Sequence, residues 1–197
     1  GVSVGDQLLA LAALYFARVG GKSEYDLSVQ LKSLTDKTAS CATIFARTVP
    51  LKVDVQNDSD SASFISSLCE SLSKLSKRGT YTTDLYIREP ELHDALRCEE
   101  FPIACARVAE ISEENIARNQ QHGLLLVIPD DGKQLQWFYD SERIAASSIS
   151  KMQEQFKILI IDSAENRTKP VTHLEVLCDT DRAAIFNNWN NTQADYA

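Results

Sequence analysis

Glycine and proline are scarce in this sequence of 197 residues, with seven and five occurrences respectively. Because 44% of the residues are hydrophobic, this scarcity excludes a disordered or low-complexity chain and indicates a folded globular protein. No apolar run approaches the roughly 20 residues that a membrane-spanning helix needs, and no signal peptide opens the chain. We therefore expect a cytoplasmic protein with no membrane partner, long enough for one substantial core or two small ones.

Basic residues are also fewer than acidic ones. The chain has 20 lysine and arginine residues against 28 aspartate and glutamate residues, and its formal net charge is -8. Phosphate backbones and anionic lipid surfaces repel a chain with this balance of charge, so we expect no nucleic-acid partner.

Paired cysteines are absent. The cysteines are odd in number, lie at irregular spacings and form no C-x-x-C pair, and the nearest histidine, His93, is not adjacent to any of them. This arrangement predicts neither a zinc site nor a disulfide framework, and it favours buried or half-buried free thiols in a reducing cytosol. The cysteines are Cys41, Cys69, Cys98, Cys105 and Cys178.

Common enzyme signatures are missing too. The sequence contains no G-x-S-x-G, P-loop, H-E-x-x-H or G-x-G-x-x-G motif. Its histidines, His93, His122 and His173, are isolated, and we expect each to be a surface or structural residue. Adjacent acidic pairs such as Asp130 and Asp131 are interpreted as solvated charge in loops. The sequence therefore predicts no catalytic residue and no metal ligand.

Apolar periodicity predicts a series of helices and strands. Ser3 caps a strongly apolar helix that ends at Gly20, and residues 25–31 alternate as a strand with one apolar face. Residues 32–40 are polar and are predicted to form a loop. The remaining elements are predicted as a strand at 49–55 with Pro50 at a sheet edge or a bulge, a helix after Asp60, a strand at 103–108, a hairpin at 123–139 and a helix at 149–160.

The last quarter of the chain carries an ordered series of features. A helix at 149–162 is followed by Pro170, a short apolar run from Leu174 to Leu177, a second helix with Asp179 or Thr180 as its cap, and Trp-Asn-Asn-Thr at 189–192. This order resembles the end of a condensation domain of a nonribosomal peptide synthetase, with the linker that leads into its adenylation domain. The alternative interpretation, two amphipathic helices joined by an ordinary loop, does not account for the ordered run between the helices.

Two earlier segments carry the same resemblance. Arg18 and Gly20 stand where the family shows "ARY-G", and the segment around Pro50 matches the family's F-V-N-T-x-P-L-R. Arg47 replaces the family's asparagine, at a position that resembles the wall of the reaction channel. Two interpretations of Arg47 stay open, a side chain that blocks the channel and an exposed arginine on an edge strand. Two further family motifs, H-Q-D-x-P-F-E and R-N-P-L, are degenerate here.

The resemblance implies a chloramphenicol acetyltransferase-like half-domain of the α/β class (α+β, two layers), in which helices pack on a mixed sheet. Residues 1–170 would form the C-terminal condensation subdomain, and residues 171–197 would begin the linker to the adenylation domain. The family's catalytic motif, H-H-x-x-x-D-G, lies in the preceding subdomain, and this chain begins after that point. We therefore expect no activity and no bound cofactor from this chain alone; a partner carrier protein would carry phosphopantetheine.

The resemblance also implies partners within a synthetase of secondary-metabolite or antibiotic biosynthesis. The main partner would be the adenylation domain of the same polypeptide. A peptidyl carrier protein and an N-terminal condensation subdomain are further implied partners. The candidate residues for the linker and its interface are Leu174, Leu177, Trp189, Asn190 and Thr192.

We keep three hypotheses for the function. In the first, which Arg47 and the degenerate motifs favour, the chain is a truncated, noncatalytic condensation subdomain of a starter module and a structural platform for the adenylation domain. In the second, it is the acceptor-side half of an active domain that forms peptide bonds between carrier-bound substrates. In the third, it is an unrelated α/β binding module, against which the ending at 189–192 argues.

Overall fold

The computed structural model describes residues 3–38, 43–89, 91, 102–111 and 122–185. No helix in this part of the chain is long and apolar enough to cross a membrane. The described elements are, in order, α1 (Val4–Gly20), β1 (Glu24–Gln30), α2 (Lys32–Thr38), β2 (Val49–Asp54), α3 (Ser61–Arg78), α4 (Leu85–Arg88), β3 (Ile103–Val108), β4 (Leu124–Pro129), β5 (Gln136–Tyr139), α5 (Ala146–Glu165) and α6 (Asp179–Ala183).

Helix α1 is the most deeply buried of the helices that pack on the sheet. The Ser3 hydroxyl accepts a hydrogen bond from the Asp6 amide at 3.1 Å and so caps the first turn. Gly21, with φ of 62°, ends the helix in the left-handed conformation that glycine adopts without strain. Between these ends the helix is buried around most of its circumference, and Tyr15 is fully covered. The predicted cap and the predicted burial are both confirmed.

The described strands form a mixed sheet in the order β2-β1-β3-β4-β5. Strands β1, β3 and β4 run parallel, while β2 and β5 pair antiparallel at the two edges. Pro50 lies on edge strand β2 opposite Ser28, a position that tolerates proline because one side of an edge strand forms no ladder. The predicted mixed sheet, the β4–β5 hairpin and the edge position of Pro50 are confirmed.

Helices α1, α3 and α5 cover one face of the sheet and enclose the main core. Aromatic rings meet there, with centroid separations of 5.6 Å between Tyr15 and Phe156 and 6.0 Å between Phe156 and Trp137. Phe16 approaches Trp137 edge-on at 6.1 Å. Tilted and edge-to-face pairs are the arrangements that ring quadrupoles favour. The apolar stripe predicted for α5 and the aromatic face predicted for the hairpin therefore pack into the same core.

The opposite face of the sheet is also buried, which corrects the prediction for β1. Alternation placed Ser28 and Gln30 on a polar face, but they are only 0% and 7% exposed. That prediction was wrong because β1 lies inside the sheet between β2 and β3, where both faces are covered. The buried apolar residues on this face are Ala104, Ala106, Val108, Leu125 and Val127.

Residues 32–40 do not form the predicted loop throughout, because α2 occupies Lys32–Thr38. The helix buries Leu34, which is 2% exposed, and the hydroxyls of Ser33 and Ser76 lie 2.6 Å apart across the contact with α3. A short polar helix of this kind depends on tertiary contacts instead of on its own periodicity. The sequence pattern therefore carried no signal for it.

Candidate interface site

We call residues 166–178, which connect α5 to α6, the strap. The strap folds back on the start of α3, where the amides of Ser61 and Ala62 donate to strap carbonyls at 3.1 and 3.0 Å. In return, the Val171 amide donates to the Ser59 carbonyl at 2.9 Å. The first amides of a helix have no partner inside the helix, so the strap satisfies donors that would otherwise lack one.

The predicted interface residues fall in different environments. Leu174 is 2% exposed and belongs to the main core, whereas Leu177 is 38% exposed. The side chain of Leu174 is therefore covered by this chain itself, and Leu177 lies at the surface. Trp189, Asn190 and Thr192 lie outside the described residues. An interface role for these five residues stays a prediction.

Asp162, near the end of α5, is the polar centre of the strap. Its side chain is 12% exposed and accepts hydrogen bonds from the Lys169 ammonium at 2.8 Å, the Glu175 amide at 2.8 Å and the Asn166 side chain at 2.7 Å. Burial raises the pKa of Asp162, but the hydrogen bonds from Lys169 and Glu175 lower it by more, so the pKa lies below its ordinary value. The carboxylate is thus charged at neutral pH and holds both ends of the strap.

Arg18, in the last turn of α1, provides a second attachment. Its guanidinium donates to the backbone carbonyl of Leu174, which is the central buried residue of the strap. Burial lowers the pKa of Arg18, while the carboxylates of Glu175 and Asp162 act in the opposite direction. The arginine expected from the resemblance to "ARY-G" therefore has a structural partner in the strap.

Helix α6 is attached through Asp181. Its carboxylate lies 2.7 Å from the Lys151 ammonium and accepts a hydrogen bond from the Gln155 amide at 3.3 Å. The hydrogen bond from Lys151 lowers the pKa of Asp181. The other side-chain atom of Gln155 accepts a hydrogen bond from the buried Tyr15 hydroxyl at 2.9 Å. A continuous polar chain thus leads from the core of α1 through α5 to α6.

Arg47 lies apart from the strap. It is half-buried and precedes β2, in a segment where the Ala46 amide donates to the Tyr81 carbonyl at 2.8 Å and Phe45 pairs with Thr82. This segment packs beyond the end of α3, whereas the strap packs at its start. Helix α3 has 18 residues and is about 27 Å long. Of the candidates that the structure describes, Leu174 and Leu177 are therefore not brought together with Arg47, and both interpretations of Arg47 stay open.

Arg107, in β3, forms a polar cluster that the sequence did not predict. Its side chain is 8% exposed, its guanidinium pairs with the carboxylate of Asp6, and it contacts the Asp130 carboxylate at 2.5 Å. Any side chain on Gly5 would collide with this guanidinium. Asp130 lies in the turn after β4 with its side chain 48% exposed, as predicted for a loop charge, and it also neutralises the buried guanidinium.

Sequence signals for these polar attachments exist but are weak. Asp162 is an acidic residue beside the apolar stripe of α5, and Arg107 is a single charge inside an apolar strand. Each pattern is compatible with an exposed side chain as well, because the partners cannot be read from neighbouring residues. Sequence analysis therefore missed both of them and also missed Asp181.

The buried thiols of Cys69 and Cys105 are not reactive groups. Burial raises the pKa of Cys69 to about 11 and that of Cys105 to about 12, so both stay protonated, and both are free. His122 is buried and His173 is exposed, while His93 lies outside the described residues. No group of three or more histidine, cysteine or acidic residues in the described ranges could hold a metal ion.

A polar cleft of about 490 Å³ lies beside the carboxyl ends of the parallel strands. Its walls include Arg107 and Lys32, but also their acidic partners Asp6, Asp130 and Asp36. Since charges of both signs are paired within the cleft, it favours neither a cation nor an anion. The strap remains the better candidate for a functional surface.

Comparison with known proteins gives a consistent result for the fold. No family model matches the chain, and no curated protein matches it. Among solved structures, the starter condensation domain of rhizomide synthetase RzmA matches with a TM-score of 0.64 and 11% identity, over 89% of this chain and 45% of that one. The first condensation domain of the CDA synthetase matches with a TM-score of 0.61 and 12% identity, over 88% and 42%.

A further match is the first condensation domain of the calcium-dependent antibiotic synthetase in complex with a substrate analogue, with a TM-score of 0.59 and 13% identity. This match covers 88% of this chain and 41% of that one. The chain therefore has a condensation-domain fold and spans less than half the length of these solved structures. The predicted likeness to nonribosomal peptide synthetase condensation domains is confirmed at the level of the fold.

Proposed function

We propose that this chain is a truncated, noncatalytic condensation subdomain of a nonribosomal peptide synthetase starter module. Its role is to serve as a structural platform for the adenylation domain that follows in the same polypeptide. The observation that supports the proposal is the strap, which is hydrogen-bonded to the fold at several points and lies where the linker is predicted to begin. Because the strap is hydrogen-bonded to α1, α3 and α5, it can hold a following domain in a fixed position relative to this fold.

The noncatalytic part of the proposal rests on the histidines. A general base must lie within hydrogen-bond reach of the attacking amine. None of the three histidines belongs to an H-H-x-x-x-D-G motif, and of the two that the structure describes, His122 is buried and His173 is exposed on the strap. Neither environment favours a base that meets a carrier-bound substrate.

The proposal includes a set of partners. The adenylation domain is the principal one, and the candidate contacts are Leu177 and the predicted residues Trp189, Asn190 and Thr192. A peptidyl carrier protein of the same synthetase would bring phosphopantetheine, and this chain would bind no cofactor of its own. The synthetase would be cytoplasmic and would make a secondary metabolite.

A second candidate is the acceptor-side half of an active, peptide-bond-forming condensation domain. The observation that favours it is the coverage of the matches, because whole condensation domains are more than twice as long as the region that this chain shares with them. In this alternative, an N-terminal subdomain would supply the catalytic motif. The likeness of the fold does not favour the third hypothesis, an unrelated binding module.

The native, full-length polypeptide distinguishes the two candidates. The platform predicts that the adenylation domain follows this chain and that no H-H-x-x-x-D-G motif precedes it, which intact mass and terminal sequencing would establish. Deletion of residues 4–159 from that polypeptide should lower the soluble yield and the ATP–pyrophosphate exchange of the adenylation domain. Unchanged yield and exchange would reject the platform. Amide formation by a polypeptide that carries the motif would support the second candidate.

A further inference from the structure

We propose that Asp162 and Asp181 are positioning residues that hold the strap and α6 in one orientation, so that the chain leaves the fold in a fixed direction. The next domain would then be held rigidly and would not move on a flexible tether. This inference rests on the proposed function, since it requires a domain to follow. It goes beyond that function because it assigns the rigidity to two carboxylates.

The strap differs from a flexible linker in how its backbone is bonded. Flexible linkers are rich in glycine and serine and leave their backbone to water. The strap contains no glycine, and its amides at Val171 and Glu175 donate to partners outside the strap. Its carbonyl at Leu174 accepts from Arg18. Few conformations satisfy all of these bonds together with the burial of Val171 and Leu174.

Asp162 joins contacts that lie at both ends of the strap. Lys169 comes early in the strap and Glu175 comes late, and both bond to the same oxygen of the Asp162 carboxylate at 2.8 Å. A loop whose two ends meet on one buried acceptor is closed at that point. Loss of the carboxylate would leave the Glu175 amide without its partner and would open the loop between these residues.

Asp181 extends the attachment beyond the strap to α6. Its carboxylate is 17% exposed and contacts Lys151 and Gln155, which lie four residues apart on α5. Gln155 is itself held by the Tyr15 hydroxyl in the core. Two separate donors on α5 therefore fix the orientation of α6 relative to α5, and one of them is held from within the fold.

Hydrogen exchange in the native polypeptide tests the first part of the inference. In Asp162→Ala, we expect the hydrogen-bonded amides of the strap to exchange at least about tenfold faster, while β4 and the centre of α1 keep their protection. These amides belong to Lys169, Val171, His173 and Glu175. The matched control is Glu154→Gln, an exposed acidic residue of the same helix. Unchanged exchange in the strap of Asp162→Ala would overturn the role of Asp162.

Energy transfer between the two domains tests the second part. One dye is attached through an unnatural amino acid at Lys74, an exposed position of α3, and the other at an exposed site of the following domain. We expect a narrow distance distribution in the wild type and in Glu154→Gln, and a broader one in Asp162→Ala and in Asp181→Asn. A merely structural role in the fold would leave these distributions alike.

The outcomes separate this inference from the proposed function. A broad distribution in the wild type would overturn the inference while leaving the platform intact, provided that the deletion still impairs the adenylation domain. Absence of an adenylation domain would remove the platform itself. If Asp162→Ala fails to fold, Asp181→Asn and Lys151→Met still test the orientation of α6, because Lys151 is 54% exposed and is not needed for the core.

Discussion

Two buried charges of opposite sign lie near the two ends of helix α1. At its first turn, the side chain of Arg107 is 8% exposed and lies between the carboxylates of Asp6 and Asp130. At its last turn, Arg18 reaches the strap beside Asp162, whose side chain is 12% exposed. Both charges are neutralised, but they hold different kinds of structure.

The difference lies in what else fixes the partners. Asp6 belongs to α1 and Asp130 to the β4–β5 turn, and the main core already holds the helix and the sheet together. The strap has two fully buried side chains and depends more heavily on its polar contacts. We infer that the cluster at Arg107 contributes to global stability, while Asp162 mainly prevents a local opening.

Removal of both carboxylates at Arg107 should lower the free energy of unfolding more than any other change considered below. Asp6→Ala combined with Asp130→Ala leaves a buried guanidinium without a counter-charge, and we expect a loss of about 3–5 kcal/mol in the free energy of unfolding. Urea denaturation measures this loss. Asp131→Ala, at the neighbouring exposed acid, should cost less than about 1 kcal/mol. If the double variant also loses less than about 1 kcal/mol, the cluster at Arg107 does not contribute to global stability and its contrast with Asp162 fails.

Removal of Asp162 should have a smaller and more local effect. Asp162→Ala leaves the Glu175 amide unpaired in a mostly buried site, and we expect a loss of about 1–3 kcal/mol. Because the opening is local, proteases should also cleave the variant faster within the strap than they cleave the wild type. Glu154→Gln should stay within about 0.5 kcal/mol of the wild type. A cost above that of the Asp6 and Asp130 double variant would reverse the assignment of global and local roles.

The contribution of Asp162 should depend on pH. Its pKa in the folded protein lies below the ordinary value of 3.8, so the unfolded chain binds its proton more readily than the folded one. The stabilisation is therefore present above that value and is lost as the pH falls through the lower, folded pKa. The difference in unfolding free energy between wild type and Asp162→Ala should shrink steadily from pH 5 downward. A difference that grows on acidification would contradict the charged state of the strap carboxylate.

The smallest effect should come from Tyr15→Phe. This change keeps the buried ring but removes the hydroxyl that bonds to Gln155, and we expect a loss of about 0.5–1.5 kcal/mol. Because Gln155 also contacts Asp181, hydrogen exchange in α6 should increase while the strap stays protected. Exchange that increases in the strap and not in α6 would show that the two attachments are not independent.

Local signals explain the parts of the fold that were predicted. The Ser3 cap, the stripe of α3 after Asp60 and the β4–β5 hairpin each depend on residues within a few positions of one another. Helix α2 and the burial of Ser28 could not be predicted in this way. Each depends on packing against elements that are distant in the chain, and local polarity indicated the opposite.

The candidate site was predicted only in outline. The order of Pro170 and the apolar run up to Leu177 indicated a special segment, and the structure places this segment against α1, α3 and α5. The burial of Leu174 in the core was not predicted, nor was the role of Asp162. An apolar residue in a predicted linker can face either its own core or a neighbour, and the sequence pattern is the same in both cases.

By itself, the sequence determined the kind and order of most elements, α2 excepted, and the apolar face of each main helix, because helix and strand periods are local properties. Only the tertiary structure decided which charges are buried and paired. Arg107 meets Asp6 across 101 positions of the chain, and Arg18 meets the Leu174 carbonyl across 156. The electrostatic cost of a buried charge depends on whether such a partner is present, and folding alone brings the partners together.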